Sequence, residues 1–227
     1  TRGPKIAVGD INNDGLDDFY ACGAAYNTGA MMMQQKDGTF KAADTATFNH
    51  DAPYEDMDAV IFDANNDGWK DLLVISGGGE PQGKSPLLLE DRLYVNDGKG
   101  HFIKKTDFLV QKLYNKSCVA VADVDHDGDS DIFIGTIEST LANDFGLLQN
   151  SFLFLNNGDG KVTEASYETI KLLNLGVVTS AMFTDLNHDG WADLVVTGEW
   201  MPVKIFMNDH GKFTATDIAH SNGLWQT

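Results

Sequence analysis

One nine-residue pattern recurs four times without a gap: DINNDGLDD at 10–18, DANNDGWKD at 63–71, DVDHDGDSD at 123–131 and DLNHDGWAD at 185–193. The starts lie 53, 60 and 62 residues apart, so the chain is four copies of one unit, and a fold for it must be a repeat fold. What flanks the pattern is repeated too. A short apolar run precedes each copy, at 5–9, 59–62, 118–122 and 181–184, and a second follows at 19–23, 72–76, 132–136 and 194–198. After a variable loop a third run leads through a turn, at 31–40, 92–102, 152–162 and 204–213. The turn residues Asp37-Gly38, Asn96-Asp97-Gly98, Asn157-Gly158 and Asp209-His210-Gly211 tolerate positive φ, as hairpins require. A fourth strand is expected to open at the closing Phe or Val.

Runs of this length, rich in Val, Ile, Phe and Leu and bounded by Gly and Asn, predict strands. The expected fold is therefore all-β and β-propeller-like: four four-stranded antiparallel blades, each with a calcium loop between its first and second strands. The repeats divide at about 5–56, 57–116, 117–178 and 179–227 of a single, partial propeller domain over 1–227. Residues 141–148 and 169–175 are expected to reach at most single helical turns.

The repeated pattern, D-x-[DN]-x-D-G-x-x-D, has the chemistry of a hard-cation loop. Side-chain oxygens at positions one, three, five and nine, with a backbone carbonyl at seven, approach the six to eight oxygens that Ca²⁺ takes. The four sets are Asp10, Asn12, Asp14, Asp18 with the Leu16 carbonyl; Asp63, Asn65, Asp67, Asp71 with that of Trp69; Asp123, Asp125, Asp127, Asp131 with that of Asp129; and Asp185, Asn187, Asp189, Asp193 with that of Trp191. An EF-hand is excluded, because its position-twelve Glu is replaced by Ala21, Val74, Ile134 and Val196, inside the next strand. Mg²⁺ suits the loops less well, since it keeps more of its water, and no His or Cys cluster suggests a transition metal. Four Ca²⁺ ions would act as structural staples between strands and would carry the formal charge from −18 to −10.

That charge, from 34 acids against 16 Lys and Arg, speaks against nucleic acid or an anionic membrane as partner. No apolar run is long enough to insert in a membrane and no signal-peptide pattern opens the chain, while a first residue Thr1 reads as a piece of something longer. The two cysteines, Cys22 and Cys118, are expected to be buried free thiols.

With DLLVISGGGEP, DRLYVNDGKGHF and DGWADLVVTGEWMPVKIFMND around the Asp loops, the chain resembles the VCBS/FG-GAP repeat family of integrin-alpha-like propellers, over essentially its whole length. It is most similar to bacterial VCBS-repeat proteins of the ASPIC/UnbV-associated type. The resemblance implies blades around a central channel, calcium between strands one and two, and a secreted or cell-surface setting. Family propellers have six to eight blades, so four repeats imply further blades from the same or another chain. The Phe-Gly-Gly-Ala-Pro signature itself is missing, which makes the integrin likeness the looser one.

No Ser/His/Asp order, phosphate loop or Cys/His ligand pattern is present, and no catalytic residue is assigned. His126 and His188, at loop position four, are expected to face solvent, and His101 and His210 fall at hairpin turns. Binding is expected on the variable loops at 77–91 and 137–151, with Tyr26, Trp200 and Trp225 as candidates to stack on sugar rings. Asn115-Lys116-Ser117 fits a glycosylation sequon. Two classes of function follow. One is a non-catalytic, calcium-stabilised extracellular scaffold for adhesion or glycan/protein binding. The alternative is a lyase-like enzyme acting on polysaccharide, which would need a base beside calcium in an acidic-sugar cleft.

Overall fold

The computed structural model describes residues 5–43, 45–78, 85–110, 112–138, 150–199 and 201–217. Each repeat folds as a four-stranded antiparallel meander whose strands pair in chain order. The first sheet holds β1 (Ile6–Gly9), β2 (Asp18–Ala21), β3 (Ala30–Gln34) and β4 (Phe40–Ala43). The second holds β5 (Asp56–Phe62), β6 (Asp71–Ser76), β7 (Arg92–Asn96) and β8 (Phe102–Lys105). The third holds β9 (Asn115–Ala122), β10 (Asp131–Glu138), β11 (Phe152–Asn156) and β12 (Val162–Glu164). The fourth holds β13 (Val177–Thr184), β14 (Asp193–Glu199), β15 (Lys204–Asp209) and β16 (Lys212–Asp217). The all-β expectation of four such sheets is met.

Strands begin and end where pairing rather than hydrophobicity dictates. Strands β5, β9 and β13 start several residues before their apolar runs, because the second strand of each sheet offers a partner there: Asp56 pairs with Ser76 and Val177 with Glu199. A register shift follows at once in both cases, between Asp56 and Asp58 and between Val178 and Ser180. The ninth loop residue, an Asp in every copy, is already the first residue of the second strand.

Among the described residues two short helical pieces interrupt the pattern. Helix α1 (Thr45–Asn49) is a single turn, too short for a helical period to show in the sequence. Its Phe48 is buried with ring centroids 5.4 Å from Tyr20, 5.1 Å from Tyr94 and 5.6 Å from Phe102. A 3₁₀ turn at Pro86–Leu89 is capped by Ser85, whose hydroxyl oxygen accepts from the Leu87 N–H. The segment 169–175 forms no helix. It closes one hydrogen-bonded turn, with the Thr169 and Ile170 amides donating to the Ser166 carbonyl, and buries Ile170, Leu172 and Leu175. Residues 141–148 lie outside the described residues.

The chain divides into two compact units, the first holding the first two sheets and the second the last two. In the first unit one core joins both sheets, through Ala7, Ile11, Tyr20 and Met31 of the first and Ala59, Ile61, Leu72 and Tyr94 of the second. At the strand ends away from the loops, Asp56 links the same two sheets. Its carboxylate accepts from the Tyr20 hydroxyl at 2.9 Å and the Gly23 N–H at 2.8 Å, and it is ion-paired with Arg92. In the second unit the core runs from Val124, Phe133 and Leu153 to Val178, Leu194, Val196 and Phe206. Cys22 and Cys118 are buried and free, as expected, and burial pushes the Cys22 thiol up to about 12.

Candidate functional site

The four Asp loops follow one backbone course. Their fourth residues, Asn13, Asn66, His126 and His188, have φ of 55, 58, 61 and 63°, in the left-handed region that Asn and His enter more readily than most side chains. Their sixth residues, Gly15, Gly68, Gly128 and Gly190, have φ of 85, 87, 99 and 93°, where a Cβ would strain the chain. The two reversals wrap each loop around its own acidic side chains.

Three loops share a hydrogen-bond pattern. In the first, Asp10 accepts from the Asp14 N–H at 3.1 Å and the Gly15 N–H at 2.8 Å. Asn12 accepts from the Asp14 N–H and donates its amide to the Asp14 carboxylate, both at 3.1 Å. Asp14 also accepts from the Leu16 N–H at 2.9 Å. Asp63, Asn65, Asp67 and Trp69 repeat these contacts, as do Asp185, Asn187, Asp189 and Trp191. In these loops the Asn amide at position three offsets the charge at position five.

The third loop has Asp125 where the others have Asn, and that donor is gone. Asp123 still accepts from Gly128 at 3.1 Å, and Asp127 from the Asp129 N–H at 3.0 Å. One oxygen each of Asp123 and Asp125 is buried without any hydrogen-bond partner. Ligand oxygens of Asp123, Asp125 and Asp131 all lie within 4.8 Å of one another, a cluster able to hold a metal ion. Burial, and then the charge of Asp127, raise the pKa of Asp125. Orphaned buried acceptors are rare in folded proteins, and a hard cation supplies what these two lack.

The ninth residue of each loop does more than close the ligand set. Asp18, Asp71, Asp131 and Asp193 are fully buried. One oxygen of each accepts from the loop's second residue: Ile11 at 3.0, Ala64 at 3.0, Val124 at 2.8 and Leu186 at 2.9 Å. The other accepts from the end of the third strand: Gln34 at 2.8, Asn96 at 2.9, Asn156 at 2.9 and Asn208 at 2.7 Å. Each carboxylate so ties loop, second strand and third strand together, with lone pairs left for a ligand. Burial pushes Asp131 up to about 7 and Asp71 up to about 6 against these amides, and it raises Asp18 also.

Asn96 and Asn208 are loop residues in effect, which the reading of Asn96 as a hairpin-turn former misses and which no reading of Asn208 anticipated. The Asn96 amide donates to the Ile11 carbonyl of the first loop at 2.8 Å and to the Lys70 carbonyl of the second at 3.0 Å. The Asn208 amide does the same for Val124 and Ala192, at 2.8 and 3.1 Å. One buried carboxamide thereby spans two neighbouring loops in each unit. The signal in the sequence is an Asn at or next to the end of the third strand, two or three residues before the turn Gly, in the last three repeats.

His126 is exposed, as its loop position suggested, and it also packs on a neighbour. Its ring stacks on Trp191 with centroids 3.8 Å apart, and the Trp191 and His210 ring centroids lie 4.7 Å apart. The third and fourth loops therefore touch. The first and second do so through Asn13, whose amide donates to the Gly68 carbonyl at 3.2 Å. Trp69 lies against the hairpin at Gly98, where a Cβ would come within 2.4 Å of its ring.

Of the candidates for sugar stacking, Tyr26 is exposed, and Trp200 and Trp225 lie outside the described residues, as do parts of both variable loops. The sequon reading fails on burial. Asn115 opens β9 as a buried residue, and the Ser117 hydroxyl is buried too, donating to the Gly135 and Val178 carbonyls at 3.1 and 2.6 Å. A glycan on Asn115 is incompatible with this packing. No helix among the described residues is long and apolar enough to cross a membrane.

A family model described as FG-GAP-like repeat matches residues 10–74 and 63–134, each match running from one Asp loop into the strand after the next. No curated protein matches the chain. Among solved structures the chain is similar to an Agrocybe aegerita lectin, described as recognising non-reducing terminal N-acetylglucosamine, with 20% identity and a TM-score of 0.59. The similarity covers 92% of this chain and 50% of that one, so the chain spans about half the length of the structure it resembles.

Proposed function

The chain belongs to the FG-GAP-like repeat family, and from that membership we propose a calcium-stabilised, non-catalytic propeller scaffold that binds a glycan or protein ligand outside the cell. The observation that carries the calcium reading is the third loop, where Asp123 and Asp125 each bury an oxygen with no partner inside a cluster of carboxylates. The other three loops keep the same backbone and the same four side-chain positions with one fewer charge, and we assign Ca²⁺ to them on that likeness. Ca²⁺ would be held by the side chains at positions one, three, five and nine, fixing the first strand of a blade to the second. Millimolar free calcium outside cells would keep loops of modest affinity filled. The lectin's recognition of terminal N-acetylglucosamine and the exposed Tyr26 support a glycan as the ligand class.

Thermal melts of metal-free protein, compared with millimolar Ca²⁺ and with Mg²⁺, test the calcium reading. A Kd near 10⁻⁴ M would give about 1.5 kcal/mol per site at millimolar calcium. The expected result is a rise specific to Ca²⁺ that shrinks in Asp123→Ala, and equal melts in all three conditions would overturn it. A glycan array probed with the calcium-loaded protein tests the ligand class.

The lyase alternative has one observation in its favour. Lys36 borders an open groove of about 490 Å³ with Asn12, Asp14, Gln34, Gln35 and Asp37, which puts a base beside the first loop. Unsaturated uronide release from pectic substrates, lost in Lys36→Ala, would establish that reading.

A further inference from the structure

The two Asp loops within each unit are joined by an unbroken run of hydrogen bonds. In the second unit it starts at Asp131, the ninth residue of the third loop, which accepts from the Val124 N–H at 2.8 Å. The carbonyl of the same Val124 accepts from the Asn208 side-chain amide at 2.8 Å. Asn208 donates its backbone N–H to Asp193, the ninth residue of the fourth loop, at 2.7 Å. Only two residues, both buried, stand between the two ninth-position carboxylates. The first unit repeats the run residue for residue. Asp18 accepts from Ile11 at 3.0 Å, the Ile11 carbonyl accepts from the Asn96 amide at 2.8 Å, and the Asn96 N–H donates to Asp71 at 2.9 Å.

A second contact runs beside the first in each unit. The residue at loop position four, which is no ligand itself, reaches the neighbouring loop. Asn13 donates to the carbonyl of Gly68, next to Trp69, and His126 stacks on Trp191 with centroids 3.8 Å apart. Trp69 and Trp191 carry the seventh-position carbonyls of the second and fourth loops. Position four lies between the side chains at three and five, so closure of a loop around those two also fixes the residue that touches the next loop.

We propose, on the basis that the loops hold Ca²⁺, that Asn96 and Asn208 are positioning residues through which the two loops of each unit bind calcium cooperatively. Without an ion the four carboxylates of the third loop repel one another, and two of their oxygens are buried with no partner. Closing around Ca²⁺ relieves both and holds Val124 and His126 where Asn208 and Trp191 meet them. The fourth loop then binds with part of its ordering already done, which is positive coupling. Direct repulsion between two bound cations acts the other way and is screened by salt, so coupling that persists or grows with salt identifies the structural path.

The position-six glycines report on each loop separately, because each N–H donates to its own loop's first Asp: Gly15, Gly68 and Gly190 at 2.8 Å and Gly128 at 3.1 Å. Calcium titration of the ¹⁵N-labelled chain at about 0.15 M salt, followed through these amide signals, gives a midpoint for every loop. Asp127→Ala should raise the Gly190 midpoint about tenfold, and Asp189→Ala should raise the Gly128 midpoint by the same factor, since linkage is reciprocal. Asp14→Ala and Asp67→Ala, read at Gly68 and Gly15, repeat the test in the first unit. Asn208→Ala keeps every ligand of the second unit and should bring its factor close to one. His126→Asn places at an exposed position the residue that the first two loops carry there, so it should fold as the parent does and lower the factor in part. Glycine signals that ignore calcium would overturn the calcium reading and the coupling with it. Signals that respond, with midpoints indifferent to the other loop, would overturn the coupling alone and leave the calcium reading standing. A factor unchanged in Asn208→Ala and His126→Asn, or in His126→Asn alone should Asn208→Ala not fold, would overturn the assigned path.

Discussion

Removing the Asn96 carboxamide should destabilise the first unit well beyond the loss of one surface polar group. Its amide donates to two carbonyls, Ile11 at 2.8 Å and Lys70 at 3.0 Å, and its oxygen accepts from the Gly98 N–H at 3.0 Å. The residue is buried, so Asn96→Ala leaves two acceptors and one donor without partners. Each unmade bond at a buried group costs roughly 1–3 kcal/mol, and water can reach the Lys70 and Gly98 ends, so we expect a loss of about 2–5 kcal/mol. At about 2–4 °C per kcal/mol for a chain of this size, the melting temperature should fall by roughly 5–15 °C. Asn96→Asp keeps the shape but turns a carboxylate oxygen towards two carbonyls, and should cost at least as much. Asn208→Ala, with bonds to Val124, Ala192 and Gly211 at 2.8, 3.1 and 2.8 Å, should repeat the result in the second unit. Urea unfolding of metal-free protein measures the change apart from any cation effect. If Asn96→Ala and Asn208→Ala both fall within about 0.5 kcal/mol of the parent, as ordinary surface changes do, the loop-bridging role is refuted.

Three further outcomes follow from the loops and the network behind them. Asp71 and Asp131, pushed up to about 6 and about 7, bind their protons more tightly folded than unfolded, so this contribution favours the fold at low pH and is lost as pH rises from about 4 through 7. Metal-free Asp131→Asn should lack its share of that decline, and identical pH–stability profiles for variant and parent would contradict it. Asp125→Asn restores the donor present in the other three loops, so the metal-free protein should gain about 0.5–1.5 kcal/mol while its calcium-dependent stabilisation falls. Melts with and without calcium check both signs. Arg92→Met should cost about 3–5 kcal/mol by stranding the buried Asp56 carboxylate, and Arg92→Lys should recover little, because one ammonium cannot reach Ser76, Tyr94 and Asp56 together. Urea unfolding of the pair decides the matter.

The strands and loops were legible in the sequence because their determinants are local. Alternating apolar runs fix strands, Asn-Gly and Asp-Gly fix turns, and the Asp spacing fixes a loop whose reversals need Gly at position six and tolerate Asn or His at position four. Residues working through distant partners were not legible. Asn96 looks like a turn former until Ile11, 85 positions away, is seen to accept from it. Phe48 sits on a single helical turn whose period is too short to register, and nothing local shows that the exposed His126 stacks on Trp191, 65 positions away.

The sequence by itself determined four copies of one blade-like unit and the acidic side chains each loop gathers, since both follow from repetition and spacing along the chain. Only the tertiary structure decided which copy of a repeated residue is covered. Val8 and Ile61 are equivalent in pattern, as are Leu186 and Val124, and they differ because burial depends on the sheet standing next to them, which no residue carries in its own sequence.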